Sequence, residues 1–187
     1  MALEAPMPLD ETTPAVAIRP LDATPETIAA LADLLIETVA HGGSVSFMHP
    51  LARADAEAFW TGSLAAAARG GRVVFGAFLG DRLAGTVTLL LDCPPNQPHR
   101  GEIAKMMTAV ADRRRGIGRA LLEAAERVAV ARGRTLLVLD TATDEGAAWL
   151  YEKAGFHFAG EIPDYALKPH GGLTGTLIYW KRIGAAA

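Results

Sequence analysis

The chain has 187 residues, 50% of them hydrophobic and 21% charged, with a formal net charge of −3. That apolar content excludes a disordered chain, and the slight acidity argues against a nucleic-acid binder, which needs a broad basic surface. The single Cys93 excludes an internal disulfide framework and a zinc site built on several cysteines.

No apolar run approaches the roughly 20 residues of a membrane helix, and no basic segment followed by an apolar one opens the sequence. A cytoplasmic protein that engages neither membrane nor nucleic acid is expected. Met1 to Pro14, with Pro6, Pro8 and Pro14, is expected to be a flexible leader, and residues 15–187 one domain. Val16 to Leu21 is a short predicted strand. From Pro25 to Ala40 the apolar residues Ile28, Leu31, Leu34, Leu35 and Val39 recur at helical spacing, with Thr24 placed to cap and Pro25 at the first helical position. Gly42 and Gly43 stop that helix. Arg53 to Arg69 is a second, alanine-rich helix closed by Gly70 and Gly71.

The period then changes. Val73 to Leu79 and Leu83 to Leu91 are β-rich and separated by Gly80-Asp81-Arg82, a hairpin signature. Cys93 to Gly101 is a proline-rich loop, Glu102 to Val110 a strand, Ile117 to Arg132 a strongly periodic helix and Leu136 to Thr141 a compact strand. Asp144 to Ala154 reads as a short helix. Phe156 to Glu161 and Thr174 to Lys181 are two last strands around a Pro/Gly loop, the final one a candidate sheet edge through which two copies could pair. The order β-α-α-β-β-β-α-β-α-β-β predicts an α/β (α+β) fold, a mixed, mostly antiparallel sheet flanked by helices.

One loop carries chemistry. Arg113-Arg114-Arg115-Gly116-Ile117-Gly118-Arg119 lies between a strand and the best helix of the chain. Four arginines crowd a helix start where the backbone dipole is already positive, a placement that a bound anion would relieve. Glycines there let the chain turn and aim its N–H groups at phosphate oxygens. A solvated arginine cluster at an ordinary turn is the alternative. No Lys-Ser/Thr pair follows the glycines, so this is not a Walker loop, and the third glycine of a dinucleotide fingerprint is missing.

Arg113-x-x-Gly116-x-Gly118 after a strand resembles the coenzyme-A pyrophosphate motif of the GNAT superfamily of N-acetyltransferases. Asp144-x-x-Ala147-x-x-Leu150-Tyr151-x-Lys153-x-Gly155-Phe156 is similar to that family's N-x-x-A-x-x-L-Y-x-K-x-G-F segment. The two motifs stand in the family's order, and the resemblance spans roughly Val16 to Arg182. A narrower likeness, carried by Leu35 to Val39, Gly42 to Met48, Leu139-Asp140-Thr141 and Gly160 to Tyr165, is to the tabtoxin-resistance branch, which acts on a β-lactam toxin. Two positions depart from the pattern: Arg114 stands where the family often has glycine, and Asp144 where it has asparagine.

The resemblance implies a GNAT-like fold and an acyltransferase that moves the acetyl group of acetyl-CoA, as cosubstrate and with no metal, to a primary amine by direct attack. It puts the pantetheine arm on the backbone of Met106, Met107 and Thr108, whose N–H groups would also face the carbonyl oxygen as it gains charge. Arg113, Arg114, Arg115, Gly116, Ile117, Gly118 and Arg119 would hold the phosphates, with Asp144 nearby. Tyr151 falls on the general-acid position, and a phenol with a pKa near 10 can protonate a departing thiolate; packing of its helix on the sheet is the other reading. Glu102 begins the cofactor strand and Asp140 ends the next, so either carboxylate could accept the amine's proton, or both could be solvated strand ends. Gly42 to Met48 is where the family commonly builds its acceptor pocket, an ordinary connector being the other reading, with Phe47, Trp60 and Tyr165 as candidate lining and core packing favoured for Trp60. His41, His49 and His99 lack metal-ligand spacing.

The acceptor is expected to be a small-molecule amine, a toxin or antibiotic among the candidates. A protein N-acetyltransferase and a noncatalytic acyl-CoA-binding module are the alternatives, and a nucleotide-binding hydrolase lacks both its lysine and its magnesium ligands. The protein is expected to be a monomer or homodimer.

Overall fold

A computed structural model of the chain describes residues 15–143 and 146–184. Asp144 and the expected leader lie outside the described residues. The elements are β1 (Val16–Pro20), α1 (Pro25–Ala40), α2 (Arg53–Ala68), β2 (Arg72–Leu79), β3 (Arg82–Leu90), β4 (Arg100–Thr108), α3 (Ile117–Ala131), β5 (Leu136–Ala142), α4 (Ala148–Lys153), β6 (His157–Leu167) and β7 (Leu173–Arg182). A single 3-10 turn, Val110–Asp112, precedes the arginine-rich loop. One seven-stranded sheet runs β1-β2-β3-β4-β5-β7-β6, antiparallel throughout except where β4 meets β5. This is the mixed, mostly antiparallel sheet flanked by helices that the sequence predicts.

The helices divide between the two faces. α1 and α2 bury Leu31, Leu35, Trp60 and Leu64 against Val74 and Met107 on one face, whereas α3 buries Ile117, Leu121 and Ala125 against Phe75, Val87 and Ile103 on the other. β3, covered on both sides, is buried from Ala84 to Leu89, and the buried Thr86 hydroxyl is satisfied by donating to the Phe75 carbonyl at 2.7 Å. Thr24 caps α1 as expected, accepting the Thr27 N–H at 3.2 Å. Gly85 lets α3 sit close to the sheet, because a Cβ there would come within 2.9 Å of Ile117 Cγ2 and of the Met107 carbonyl.

Two irregularities open the sheet at its centre. β4 carries one residue more than β3 across the register Thr88↔Ala104 and Thr86↔Met107, a bulge at Lys105 and Met106 with Lys105 at φ 50°. Ile103 and Met106 consequently pack on the same α3 side although three residues apart, and Met107 turns to the α1–α2 side. In addition, β4 and β5 pair only over Arg100–Glu102 and Leu136–Val138. Both strands continue past that point without pairing to each other, which leaves a gap between them.

Four expectations change. β7 is not an edge: β5 and β6 flank it, and the edge strands are β1 and β6. β6 and β7 run longer than predicted and absorb most of the Pro/Gly loop. Pro163 is tolerated because β6 is an edge and its register shifts between Ile162 and Ala166, so no ladder donor is needed there. α4 starts at Ala148 rather than at residue 144, after Gly146 at φ 64°. β4 starts two residues early and ends at Thr108, where the 3-10 turn takes over.

Candidate active site

A cleft of about 220 Å³ lies where the sheet opens. Its walls come from residues 44–46 before α2, the bulge of β4, the end of β5, Tyr151 of α4 and the β6–β7 hairpin. The structure brings Asp140, Met106 and Tyr151 together here. Tyr151 is 6% exposed and packs edge-on against Phe156, with ring centroids 6.2 Å apart. Its helix is held from below: Lys181 Nζ donates to the Ala154 carbonyl at 2.8 Å and to Glu126 Oε2 of α3 at 2.6 Å. Asp140 is exposed at the end of β5, and the Thr176 hydroxyl lies 3.0 Å from its Oδ2.

Glu102 is placed differently. It sits in the last paired position of β4, bonded by Arg100 at 2.8 Å, and is not among the residues lining the cleft. Trp60 is fully buried in the α1–α2 core, Phe47 stacks edge-on against Phe59, and Tyr165 lines the cleft. The Met107 side chain is buried in the α1–α2 core, whereas Met106 is half-buried, packs against the α3-side core and lines the cleft. Thr108 is the last residue of β4, in register with Gly85 of β3.

The cleft also holds a charge that the sequence pattern does not single out. Lys105, at the bulge, donates to Ser46 Oγ at 2.9 Å, with its Nζ 6.0 Å from the Phe47 ring and 5.8 Å from the Phe59 ring. Burial pushes its pKa below the usual lysine range, and the charges of Asp140 and Glu102 pull it partly back. A signal was present: Lys105 is the only charge inside the run Ile103–Met107. Thr174 and Thr176 join the cleft through the β5–β7 and β6–β7 pairings, which no local pattern reveals.

The arginine-rich loop enters α3 nearby in the chain. Gly116 is the N-cap at φ 79°, without a side-chain capping bond, and no acidic residue occupies the first turn. The N–H groups of Ile117 and Gly118 therefore start the helix with no side chain over them. Arg114 adopts φ 64°, so the bend that glycine would give elsewhere is made here by a non-glycine residue. Beneath the loop, Asp112 is 2% exposed and accepts two bonds from Arg82, at 2.7 and 3.0 Å, and one from Arg115 at 3.0 Å. Its bonds to Arg82, helped by the Arg82 and Arg115 charges, hold the carboxyl below the usual aspartate range. Arg119 pairs with Glu123 at 2.8 Å; Arg113 and Arg114 are exposed on the loop. Gly118 faces α4, where a Cβ would meet Leu150 Cδ2 at 3.0 Å.

The acetyltransferase (GNAT) family model matches residues 36–156, well over half of the chain. The chain belongs to the GNAT family of acetyltransferases. Solved structures share its fold over nearly their whole length. A ribosomal-protein-alanine N-acetyltransferase from Brucella melitensis superposes with a TM-score of 0.76 at 23% identity, covering 89% of this chain and 99% of that one. A candidate acetyltransferase from Salmonella typhimurium, solved with its cofactor acetyl-CoA, gives 0.75 at 18%, covering 92% and 96%. A candidate phosphinothricin N-acetyltransferase gives 0.75 at 19%, covering 91% and 100%. This GNAT enzyme thus uses the family's fold, and acetyl-CoA is the family's acyl donor. Among the described residues no group of three or more His, Cys, Asp or Glu could hold a metal ion, and no helix is long and apolar enough to cross a membrane.

Proposed function

We propose that this GNAT protein acetylates the primary amine of a small molecule by direct attack. The observation that carries the reading is the meeting of Tyr151 and Asp140 in one small cleft beside the unpaired half of β4. A volume near 220 Å³ is below the roughly 300 Å³ at which typical ligand pockets begin, which favours a compact acceptor over a folded protein segment. The narrower resemblance to the tabtoxin-resistance branch supports a toxin or antibiotic as that acceptor.

The residues present fit coenzyme A. An uncapped helix start with a positive-φ glycine, open space around it and exposed Arg113 and Arg114 make a seat for phosphates. The backbone of Met106, Met107 and Thr108, on the stretch of β4 that β5 leaves unpaired, supplies donors and acceptors for an extended arm. When bound, acetyl-CoA supplies the acetyl group as a thioester. Asp140 holds the incoming ammonium and accepts its proton, directly or through water, while Glu102 stands behind it as a second negative charge. Backbone N–H groups of β4 steady the carbonyl oxygen as it gains charge. Tyr151 then gives its phenolic proton to the departing sulfur.

The test is acetyl-CoA-dependent thiol release with a panel of primary amines. Release that is independent of any amine would make the protein a thioesterase, and release absent with every small amine while acetyl-CoA binds would leave a protein acceptor or a binding module in place of this reading.

A further inference from the structure

Among the described residues lining the cleft there is one cation, Lys105, and one anion, Asp140. The Lys105 ammonium has three N–H donors, and its hydrogen-bond partner is the neutral Ser46 hydroxyl; it forms no ion pair with a described carboxylate. Two phenyl rings stand within about 6 Å of it. A half-buried ammonium with so little compensation is costly, and an anion brought in by a ligand would offset the cost.

Resting on the transferase reading above, we propose that the acceptor carries a carboxylate as well as its amine, so that the substrates are small amino acids and Lys105 is the residue that selects them. The two poles of the cleft then match the two poles of a zwitterion. The acceptor's ammonium goes to Asp140, which Thr176 orients, and its carboxylate to Lys105, which Ser46 and the bulge of β4 hold in place. The same lysine repels a second ammonium, so diamines and larger polycations are disfavoured. The strained φ of 50° at Lys105 fits such a role, because backbone strain concentrates where a side chain must be aimed.

Matched pairs of amino acid and decarboxylated amine test this: lysine and cadaverine, ornithine and putrescine, histidine and histamine, tyrosine and tyramine. With the full chain and saturating acetyl-CoA, thiol release should show kcat/KM at least about tenfold higher for the acid of an accepted pair, the scale of one charge-assisted bond. Lys105→Gln should raise KM for the acids about 10- to 100-fold with kcat little changed, and should leave the plain amines unaffected or improved. Lys105→Arg should restore most of the preference. Calorimetry with acetyl-CoA checks that each variant is folded and loaded. Amines that match or outperform the acids would overturn the proposal. So would turnover of no acid despite bound acetyl-CoA, or a Lys105→Gln effect that falls equally on both classes. Wild-type protein that fails to bind acetyl-CoA would overturn the transferase reading itself, a distinguishable result.

Discussion

Replacing Asp112 by alanine should cost more than any other single surface-loop change, because this carboxylate is buried at 2% exposure and accepts three charge-assisted bonds. Such bonds contribute roughly 1.5–3 kcal/mol each, but the side chains of Arg82 and Arg115 are 58% and 35% exposed and regain water when released. The net loss should therefore fall to about 2–3 kcal/mol, under the roughly 3–5 kcal/mol of breaking a fully buried pair. At this chain length each kcal/mol moves Tm by about 2–4 °C, which predicts a drop of about 4–12 °C at pH 7 in thermal unfolding. The pH dependence has a defined sign. A carboxyl whose folded pKa is depressed contributes fully above its unfolded value, about 3.9, and loses the contribution as pH falls through the lower folded value. The stability gap between wild type and Asp112→Asn should accordingly be flat from pH 7 to about 5 and close only below about 4. A loss under about 1 kcal/mol at pH 7, or a gap that closes by about pH 6, would refute the reasoning.

Tyr151→Phe should keep fold and acetyl-CoA affinity but lower kcat by roughly 10²–10⁴, measured as thiol release; an unchanged rate would make the tyrosine structural. Gly116→Val, which forces a β-branched residue to φ 79°, should weaken acetyl-CoA binding in calorimetry by about tenfold or more and cost about 1–2 kcal/mol of stability. Arg114→Gly should raise stability by about 0.5–1 kcal/mol, since it relieves a left-handed arginine; a lower Tm would show that the side chain holds the loop. Thr176→Val removes the hydroxyl 3.0 Å from Asp140 and should raise KM for the amine about two- to tenfold with little change in Tm, as the carboxylate loses the donor that fixes its orientation; an unchanged KM would show that Thr176 does not position it.

The helices and the β2–β3 hairpin were legible because their signals are local. The Pro25–Ala40 helix was bounded by its cap and by Gly42, and α3 by its apolar stripe. The arginine- and glycine-rich loop ahead of α3 was legible for the same reason, as a fixed spacing of residues beside a helix start. What failed was long-range. No local pattern says that β7 inserts between β5 and β6, and so the last strand reads as an edge in the sequence. Pro163 looked like a loop residue because proline breaks ladders, yet an edge strand with a shifted register has room for it. Lys105 does not stand out in the sequence because a strand pattern assigns alternate faces, and the bulge breaks that alternation at this residue. Glu102 and Asp140 looked equivalent as strand ends; only the register shows one bonded by Arg100 in the paired zone and the other at the open gap.

The bulge in β4 also sets how this segment tolerates changes of length. Side chains alternate with a period of two, so the extra residue at 105–106 acts as a half-period offset between the two ends of one strand. Deleting either residue would restore regular alternation between Ala104 and Met107, so Met107 would keep its face opposite Thr86 while the kink at Lys105 beside the cleft would be lost. One further residue inserted between Met106 and Met107 would instead reverse the faces downstream and turn Met107 out of the α1–α2 core. A one-residue insertion there should therefore lower Tm more than a one-residue deletion, whereas the loop at 93–99 is governed by no such parity.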